Sequence, residues 1–246
     1  MTDKSGAAEW TAGRSVATMS DVTVKASAVK VAASRVVAAP AQPRTPAQHD
    51  RRSRVLTSAS AMLATGGEDA LQMKRVAEDA RVSLATVYRY FPSKDHLLLA
   101  MARARFERAL VRVQQADIDL AGSTAGERVS AYLLREFAAQ QRQPHVTSAL
   151  ARVLIGTNPD YRETHDEVQQ MHLRLLSVIA HGHDSTPGYE AWMVLRVVAG
   201  CFGSATRNWI AGLLSADEAR FEIALACRLL DLPPESVGSR TGSVSP

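Results

Sequence analysis

Five side chains within nine residues of the sequence could recognise nucleic acid. They are Thr86, Tyr88, Arg89, Tyr90 and Lys94. The arginine fork fits guanine O6 and N7 in the major groove, and threonine can contact a phosphate or a thymine methyl group. A lysine at the start of a helix combines its charge with backbone N–H groups that have no helical partner, and together these bind phosphate. The combination favours binding to double-stranded DNA.

Apolar residues around these side chains predict two short helices joined by a turn. The helices are expected over Met73–Asp79 and Leu84–Tyr90, with Ser83 as the N-cap of the second helix. The inner face of the second helix is expected to hold Leu84, Val87 and Phe91. Its outer face is expected to hold Ala85, Thr86, Tyr88, Arg89 and one edge of Tyr90. Such a pair is a helix-turn-helix, whose second helix is narrow enough to enter a major groove.

Helical periodicity continues along the chain, and no β-alternation longer than a few residues appears. Thr45 with Gln48, and Ser215 with Glu218, form capping boxes at two expected helix starts. The sequence therefore predicts an all-α protein, in which an N-terminal three-helix helix-turn-helix domain precedes a helical ligand-binding and dimerisation domain. The expected ranges are a disordered arm over 1–44, the helix-turn-helix domain over 45–92, the helical domain over 93–232 and a flexible tail over 233–246.

Charge is divided unevenly along the 246 residues. Residues 48–115 hold twelve basic and seven acidic residues, a net charge of +5, whereas 116–246 hold eleven and fifteen, a net charge of −4. Residues 1–47 have a net charge of +3. This asymmetry predicts a polyanionic partner for the helix-turn-helix half and not for the other. The basic side chains of the arm leave two interpretations open, an inert tail or an additional nucleic-acid contact.

Other classes of protein have little support in the sequence. Two cysteines do not make a secreted disulfide framework, and no apolar run approaches the roughly 18 residues of a membrane span. The N-terminus has no compact apolar signal core, so we expect a cytoplasmic protein with no membrane partner. His165 with His172, and His181 with His183, lack a convincing third ligand, so no metal or other cofactor is expected. No catalytic motif appears, and an enzyme is not expected.

The helix-turn-helix segment resembles one bacterial family. From Val82 its sequence reads VSLATVYRYFPSKDHLL, which is similar to the signature V-S-x-G-T-[LV]-Y-x-[YH]-F-x-[SN]-K-x-x-L of the TetR family of transcriptional regulators. The resemblance covers about 47–100, and the all-helical remainder has the length of a TetR ligand-binding and dimerisation domain. Within the family, this string with Gln72 and Met73 before it most resembles the KstR-type repressors of steroid catabolism.

The resemblance implies a role for each matching position. The residues expected at the DNA are Arg51, Arg52, Gln72, Ser83, Leu84, Thr86, Tyr88, Arg89, Tyr90 and Lys94. Gln72 stands where the family often has threonine, and Arg51 and Arg52 add positive charge from the first helix. Two positions depart from the family, because Arg81 and Ala85 stand where glycine is usual. A left-handed turn at a residue other than glycine costs about 1 kcal/mol.

The second domain is expected to hold a hydrophobic effector and a second copy of the chain. An effector pocket between the middle helices is predicted to use Phe137, Leu150, Leu154, Met171, Leu175, Trp192, Leu195 and Arg207. The apolar residues of that set could instead be ordinary core, and the arginine could serve the subunit interface. The dimer interface is predicted to use Phe202, Trp209, Ile210, Phe221, Leu225 and Leu229, because helices that are apolar on two faces must bury both.

These expectations combine into a ligand-responsive transcriptional regulator. A homodimer would repress by binding an inverted-repeat operator with one recognition helix per half-site. A lipid, steroid or acyl-CoA-like effector would release it from the DNA. The alternative is a helical dimer that binds a small molecule or a protein without reading DNA sequence, and only Arg81 and Ala85 favour it.

Overall fold

The computed structural model describes residues 41–115, 122–156, 158–182 and 187–233. Over those ranges it contains helices and connecting turns without a strand, which confirms the all-α fold. The α-helices are α1 (Pro46–Ala70), α2 (Met73–Asp79), α3 (Leu84–Tyr90), α4 (Lys94–Gln114), α5 (Ala125–Gln141), α6 (Pro144–Ile155), α7 (Arg162–His181), α8 (Tyr189–Ile210) and α9 (Ala216–Cys227). Short 3-10 helices span Pro159–Tyr161 and Arg228–Asp231. The predicted arm up to residue 40 and the predicted tail after Pro233 lie outside the described residues.

Both helix starts that the capping boxes predict are present. Thr45 Oγ1 accepts from the Gln48 backbone N–H at 3.3 Å, and Gln48 Oε1 accepts from the Thr45 N–H at the same distance. At the start of α9, the Ser215 and Glu218 side chains make the equivalent bonds at 3.2 and 2.7 Å. The hydrogen bond from the Ser215 backbone, followed by that of its side chain, lowers the pKa of the Glu218 carboxyl. Each cap satisfies N–H groups that a first helical turn leaves without partners.

Helices α1 to α4 pack around one apolar core that fixes the helix-turn-helix. Its fully buried side chains include Val55, Ala59, Leu63, Val76, Val87, Leu97 and Leu98. The regular course of α1 breaks at Gly67, whose φ of 66° is a conformation that glycine adopts without strain. The chain then buries Leu71 completely before α2 begins at Met73. We call α1 to α3 together with the first half of α4 the head.

Helices α4 and α6 connect the head to the other helices. Val146, Ala149 and Val153 of α6 belong to the same buried cluster as the head. A second buried cluster lies among α5, α7, α8 and α9 and includes Leu133, Phe137, Leu175, Leu176, Ile179, Leu195 and Ile223. The later residues of α4, Ala109 and Val113, belong to this second cluster. Motion of α4 or α6 therefore affects both cores.

Leu97→Ala should lower the free energy of unfolding by about 2–5 kcal/mol, because truncating a fully buried leucine loses apolar burial and leaves a cavity. Leu84→Ala is the matched control, since Leu84 is exposed and its truncation should change stability by less than about 1 kcal/mol. Urea unfolding followed by circular dichroism measures both. Equal losses for the two variants would contradict the assigned core.

Candidate nucleic-acid interface and cavity

The turn between α2 and α3 is a left-handed turn built without glycine. Arg81 adopts a φ of 54°, in the region that favours glycine. Val82 then donates its N–H to the Ala77 carbonyl at 3.0 Å. Ser83 Oγ accepts from the Thr86 N–H at 3.1 Å, so Ser83 is the N-cap of α3 as predicted. Arginine accommodates the turn at a cost of about 1 kcal/mol, and α3 starts where the sequence indicates.

Helix α3 buries one side and exposes the other. Val87, Tyr90 and Phe91 are buried against the head core, at the i, i+3 and i+4 spacing of one helical face. Leu84 and Tyr88 share the opposite face and are 39% and 46% exposed. The prediction that Leu84 faces inward is therefore wrong, because its spacing from Tyr88 places it on the outer face. The exposed face also carries Arg89, and Thr86 lies half-buried at its edge.

Tyr90 does not reach the outer face, contrary to the sequence prediction. It is 3% exposed and packs with the ring of Phe91 at 6.2 Å between centroids. The Arg89 guanidinium lies over the Tyr90 ring, 5.3 Å from its centroid. The Tyr90 hydroxyl is buried and has no hydrogen-bond partner among the described residues. Tyr90 therefore supports the recognition surface from below.

The two arginines predicted at the DNA from α1 differ in their surroundings. Arg52 Cζ lies 5.5 Å from the centroid of the Phe91 ring, and Arg52 lines the cleft between α1 and α4 with Glu107. Burial lowers the pKa of Arg52, and the Glu107 charge opposes that effect. Arg52 thus packs inside the head rather than on the surface of α3, which corrects the prediction. Arg51 is half-buried and donates through Nε to the Ala47 carbonyl at 3.1 Å.

Two further predicted contacts flank α3. Lys94 Nζ, at the start of α4, donates to the Glu68 carbonyl at 3.0 Å and so ties α4 to the end of α1. Gln72 is exposed at the N-cap of α2, and its side chain makes no capping bond. Sequence reasoning missed a third feature, the hydrogen bond of 3.0 Å from the Ala41 N–H to the Arg89 carbonyl. The chain that leads into α1 is therefore attached to the end of the recognition helix, and no pattern in the sequence indicates this bond.

A cavity of about 730 Å³ lies among α4, α5, α6, α7 and α8. Three predicted ligand-binding residues line it, namely Leu150, Leu154 and Arg207. The other five lie outside its lining: Phe137, Leu175 and Leu195 are fully buried in the second core, and Met171 and Trp192 pack against that core. Helical periodicity identifies a buried face, but it does not distinguish a face against a neighbouring helix from one against a cavity. That ambiguity explains the five incorrect assignments.

Most polar side chains around the cavity are paired within the protein. Arg105 and Glu136 form an ion pair of 2.7 Å, and Thr206 Oγ1 donates to Gln140 Oε1 at 3.1 Å. His165 Nε2 donates to the Leu154 carbonyl at 2.7 Å. Along α8, Arg196, Gly200, Gly203 and Arg207 line the cavity at the spacing of one helical face. Both of these arginines are exposed, so this edge of the cavity is cationic and open to water.

A side chain of α6 joins the cavity wall to the head. Arg152 donates through Nη2 to Glu68 Oε1 at 2.7 Å and to Asp95 Oδ1 at 2.6 Å, which links α6 to the end of α1 and the start of α4. The hydrogen bonds to Asp95 and then Glu68 raise the pKa of Arg152, so it remains charged. Leu150 and Leu154 of the same helix line the cavity. One rigid helix thus contacts both the cavity and the head.

Helices α8 and α9 expose apolar side chains. Phe221 is 67% exposed, and Leu225, Leu229 and Val197 are exposed as well. Two residues predicted for the dimer interface point elsewhere: Phe202 is buried in the second core and Trp209 packs on Phe137 at 5.4 Å between ring centroids. Both lie on the side of α8 that faces its own subunit, which corrects the prediction. Ile210 is half-buried near the end of α8.

Several site types are absent from the part of the chain that the structure describes. No group of three or more histidine, cysteine or acidic side chains is placed to hold a metal ion there. None of the described helices is long and apolar enough to cross a membrane. Cys201 and Cys227 are free thiols, and burial raises the pKa of Cys227 to about 11. A buried thiol of this kind packs as a small apolar side chain.

The fold and these two sites define a helix-turn-helix regulatory protein, with an exposed recognition helix on the head and a ligand-sized cavity behind it. Residues 55–101 match the family model described as bacterial regulatory proteins, tetR family, and residues 122–230 match the tetracyclin repressor-like C-terminal domain. The HTH-type transcriptional repressor KstR of Mycolicibacterium smegmatis is 33% identical over 75% of this chain and 88% of that protein. The chain belongs to the TetR family of bacterial transcriptional regulators.

Solved structures agree with this assignment. A TetR transcriptional regulator from Rhodococcus sp. RHA1 superposes with a TM-score of 0.67 and 25% sequence identity, over 75% of this chain and 97% of that one. FadR from Bacillus subtilis, solved in complex with stearoyl-CoA, superposes with a TM-score of 0.52 and 15% identity, over 72% and 97% of the two chains. At that identity the second match shows a shared fold and nothing further.

Tyr90→Phe should retain operator binding and unfold no more easily than the wild type, because the buried hydroxyl has no described partner and burying such a group costs about 1–3 kcal/mol. Thermal unfolding and fluorescence anisotropy with labelled upstream DNA measure the two properties. A loss of DNA affinity above tenfold in a normally folded variant would show that the hydroxyl contacts DNA.

Proposed function

We propose that the protein is a ligand-responsive repressor that binds an inverted-repeat operator as a homodimer and is released by a hydrophobic effector of the lipid, steroid or acyl-CoA type. The observation that carries the proposal is the arrangement of α3. It is a short helix held by its buried face, while Leu84, Tyr88 and Arg89 remain exposed on the other. Such a helix fits a major groove, where arginine reads guanine and phenols bind phosphate.

The charge of the head supports DNA as the partner. The range 48–115 carries a net charge of +5, and the remainder after it carries −4. A polyanion is therefore attracted to the head and repelled by the body. Lys94 contributes to this field, although reaching a phosphate would require it to leave the Glu68 carbonyl. Arg81 maintains the left-handed turn, so its departure from glycine gives little support to a dimer that does not read DNA.

The exposed apolar side chains of α8 and α9 support a homodimer. Phe221, Leu225 and Val197 lie on helices whose other faces are buried in their own subunit. Large apolar side chains concentrated on one surface indicate an interface. Pairing two copies there would form a four-helix bundle and give two recognition helices related by a two-fold axis. A two-fold protein reads two inverted half-sites.

The cavity supports an apolar effector with an anionic end. Its volume of about 730 Å³ is in the range of small-molecule sites. Leu150, Leu154 and Phe202 provide apolar wall, whereas Arg196 and Arg207 could pair with a carboxylate or phosphate. The relatives favour the same class, since one is a KstR repressor and a structural neighbour holds stearoyl-CoA.

Release of the DNA would require the effector to favour a different position of the head. Helix α6 lines the cavity and holds the head through Arg152, Glu68 and Asp95. A ligand that displaces α6 therefore changes the orientation of α1 and α4, which carry α3. The change in DNA affinity is limited by the difference between the effector's affinities for the two head positions.

Arg89→Ala should weaken binding to the DNA upstream of the gene by about 5- to 150-fold, since a bidentate contact to a base contributes about 1–3 kcal/mol. Arg220→Ala on α9 is the matched control, because it removes the same charge far along the chain from α3 and should bind normally. Anisotropy titrations at two salt concentrations measure the effect. Equal affinities for upstream and random DNA in the wild type would refute sequence-specific binding.

Phe221→Glu should convert the dimer to a monomer, because it places a charge on the exposed apolar face of α9. Phe221→Leu keeps an apolar side chain and should remain dimeric. Light scattering after size-exclusion chromatography gives the mass of each, against 26.6 kDa for one chain. A Phe221→Glu protein with the mass of two chains would place the interface elsewhere.

A further inference from the structure

Two buried polar side chains of the cavity lack the partners that the others have. They are Tyr132 of α5 and His172 of α7, and both line the cavity. Neither makes a hydrogen bond to any residue that the structure describes, whereas Thr147 and Thr206, the other buried polar residues of the lining, are each bonded. Buried polar groups in proteins nearly always have partners, so a pair without them requires an explanation.

His172 is held rigidly in an aromatic setting. Its ring stacks on Phe106 with 4.5 Å between centroids and 5° between planes, and Phe202 lies 6.4 Å away at 59°. The residue is 8% exposed, and burial lowers its pKa to about 4. The imidazole is therefore neutral near pH 7 and offers one N–H donor and one nitrogen acceptor. Its ring nitrogens are not sealed inside the core, since the residue forms part of the cavity wall.

Tyr132 presents the second group. It is almost fully buried, and burial, assisted by the nearby Glu136 charge, raises the pKa of its hydroxyl. The hydroxyl is thus protonated at ordinary pH and can donate one hydrogen bond. Glu136 itself is occupied by Arg105, which donates to it at 2.7 and 3.1 Å. The ion pair consequently leaves the tyrosine hydroxyl available to a molecule in the cavity.

We propose that Tyr132 and His172 are specificity-determining residues that bind an uncharged oxygen, a ketone or a hydroxyl, on an otherwise apolar effector. Phenylalanine at either position would line the cavity without the cost of an unpartnered buried polar group. A neutral donor pair suits a neutral oxygen, whereas a carboxylate would favour the cationic edge at Arg196 and Arg207. The effector class is therefore a ring or chain with an oxygen at one position and an acid group at another. The inference rests on the proposed effector function of the cavity.

The experiment compares three acids that differ in one group: 5β-cholanic acid, its 3-hydroxy derivative and its 3-oxo derivative. Isothermal titration calorimetry on the full chain gives each Kd. The wild type should bind the tighter of the two oxygenated acids about tenfold more strongly than 5β-cholanic acid. In His172→Phe and in Tyr132→Phe the preference should fall below about threefold, while affinity for 5β-cholanic acid should be unchanged or higher.

Controls separate recognition from a structural role. His145→Phe makes the same chemical change at an exposed residue outside the cavity lining and should keep the wild-type preference. The two cavity variants should melt no lower than the wild type, because they remove unpartnered buried polar groups. His172→Gln keeps a donor and an acceptor and should retain part of the preference, which provides a second variant if His172→Phe does not fold.

An unchanged preference in folded His172→Phe and Tyr132→Phe would overturn the inference and leave the proposed repressor function intact, because the acids would still bind. Equal wild-type affinities for all three acids would overturn it too. If none of the acids binds the wild type, the effector class is wrong and the inference fails with it. Operator binding is measured separately, so that outcome is distinct from a failure of DNA recognition.

Discussion

Seven residues are too few for helix α3 to be stable alone, so the surface that it offers depends on the face that it buries. Val87, Tyr90 and Phe91 are fixed in the head core, and this orientation turns Leu84 and Tyr88 outward. The same core determines where the nearby cations lie, as the position of Arg52 over the Phe91 ring shows. DNA recognition by this protein is thus a consequence of apolar packing beneath the recognition helix.

That core is not confined to the first helices of the chain. Buried residues of α6 complete it, and the later residues of α4 enter the second core. A chain in which two helices each belong to both packed regions cannot change one region without affecting the other, because packed interiors resist local deformation. The Arg152 bonds to Glu68 and Asp95 strengthen this connection at its exposed edge. Such packing suits a protein in which an occupied cavity changes how the head sits on DNA.

Local sequence rules predicted the elements whose causes are local. The capping boxes at Thr45 and Ser215 and the bounds of α2 and α3 follow from side chains within a few residues of each helix start. Assignments that depend on distant neighbours were less successful. Tyr90 could be placed inside only by knowing how α3 rolls against the head, and the bond from Lys94 to the Glu68 carbonyl joins residues 26 apart. Likewise, the cavity depends on a gap between helices, which no single helix encodes.

The proposal that two recognition helices read one operator is tested most directly by DNase I footprinting of the DNA upstream of the gene. A two-fold dimer should protect two inverted half-sites whose centres are separated by about one helical turn, 10–10.5 base pairs, or a multiple of it. Protection should weaken steeply as salt concentration rises, because phosphate contacts release counterions. Uniform protection along the fragment, independent of sequence, would contradict operator recognition by a dimer.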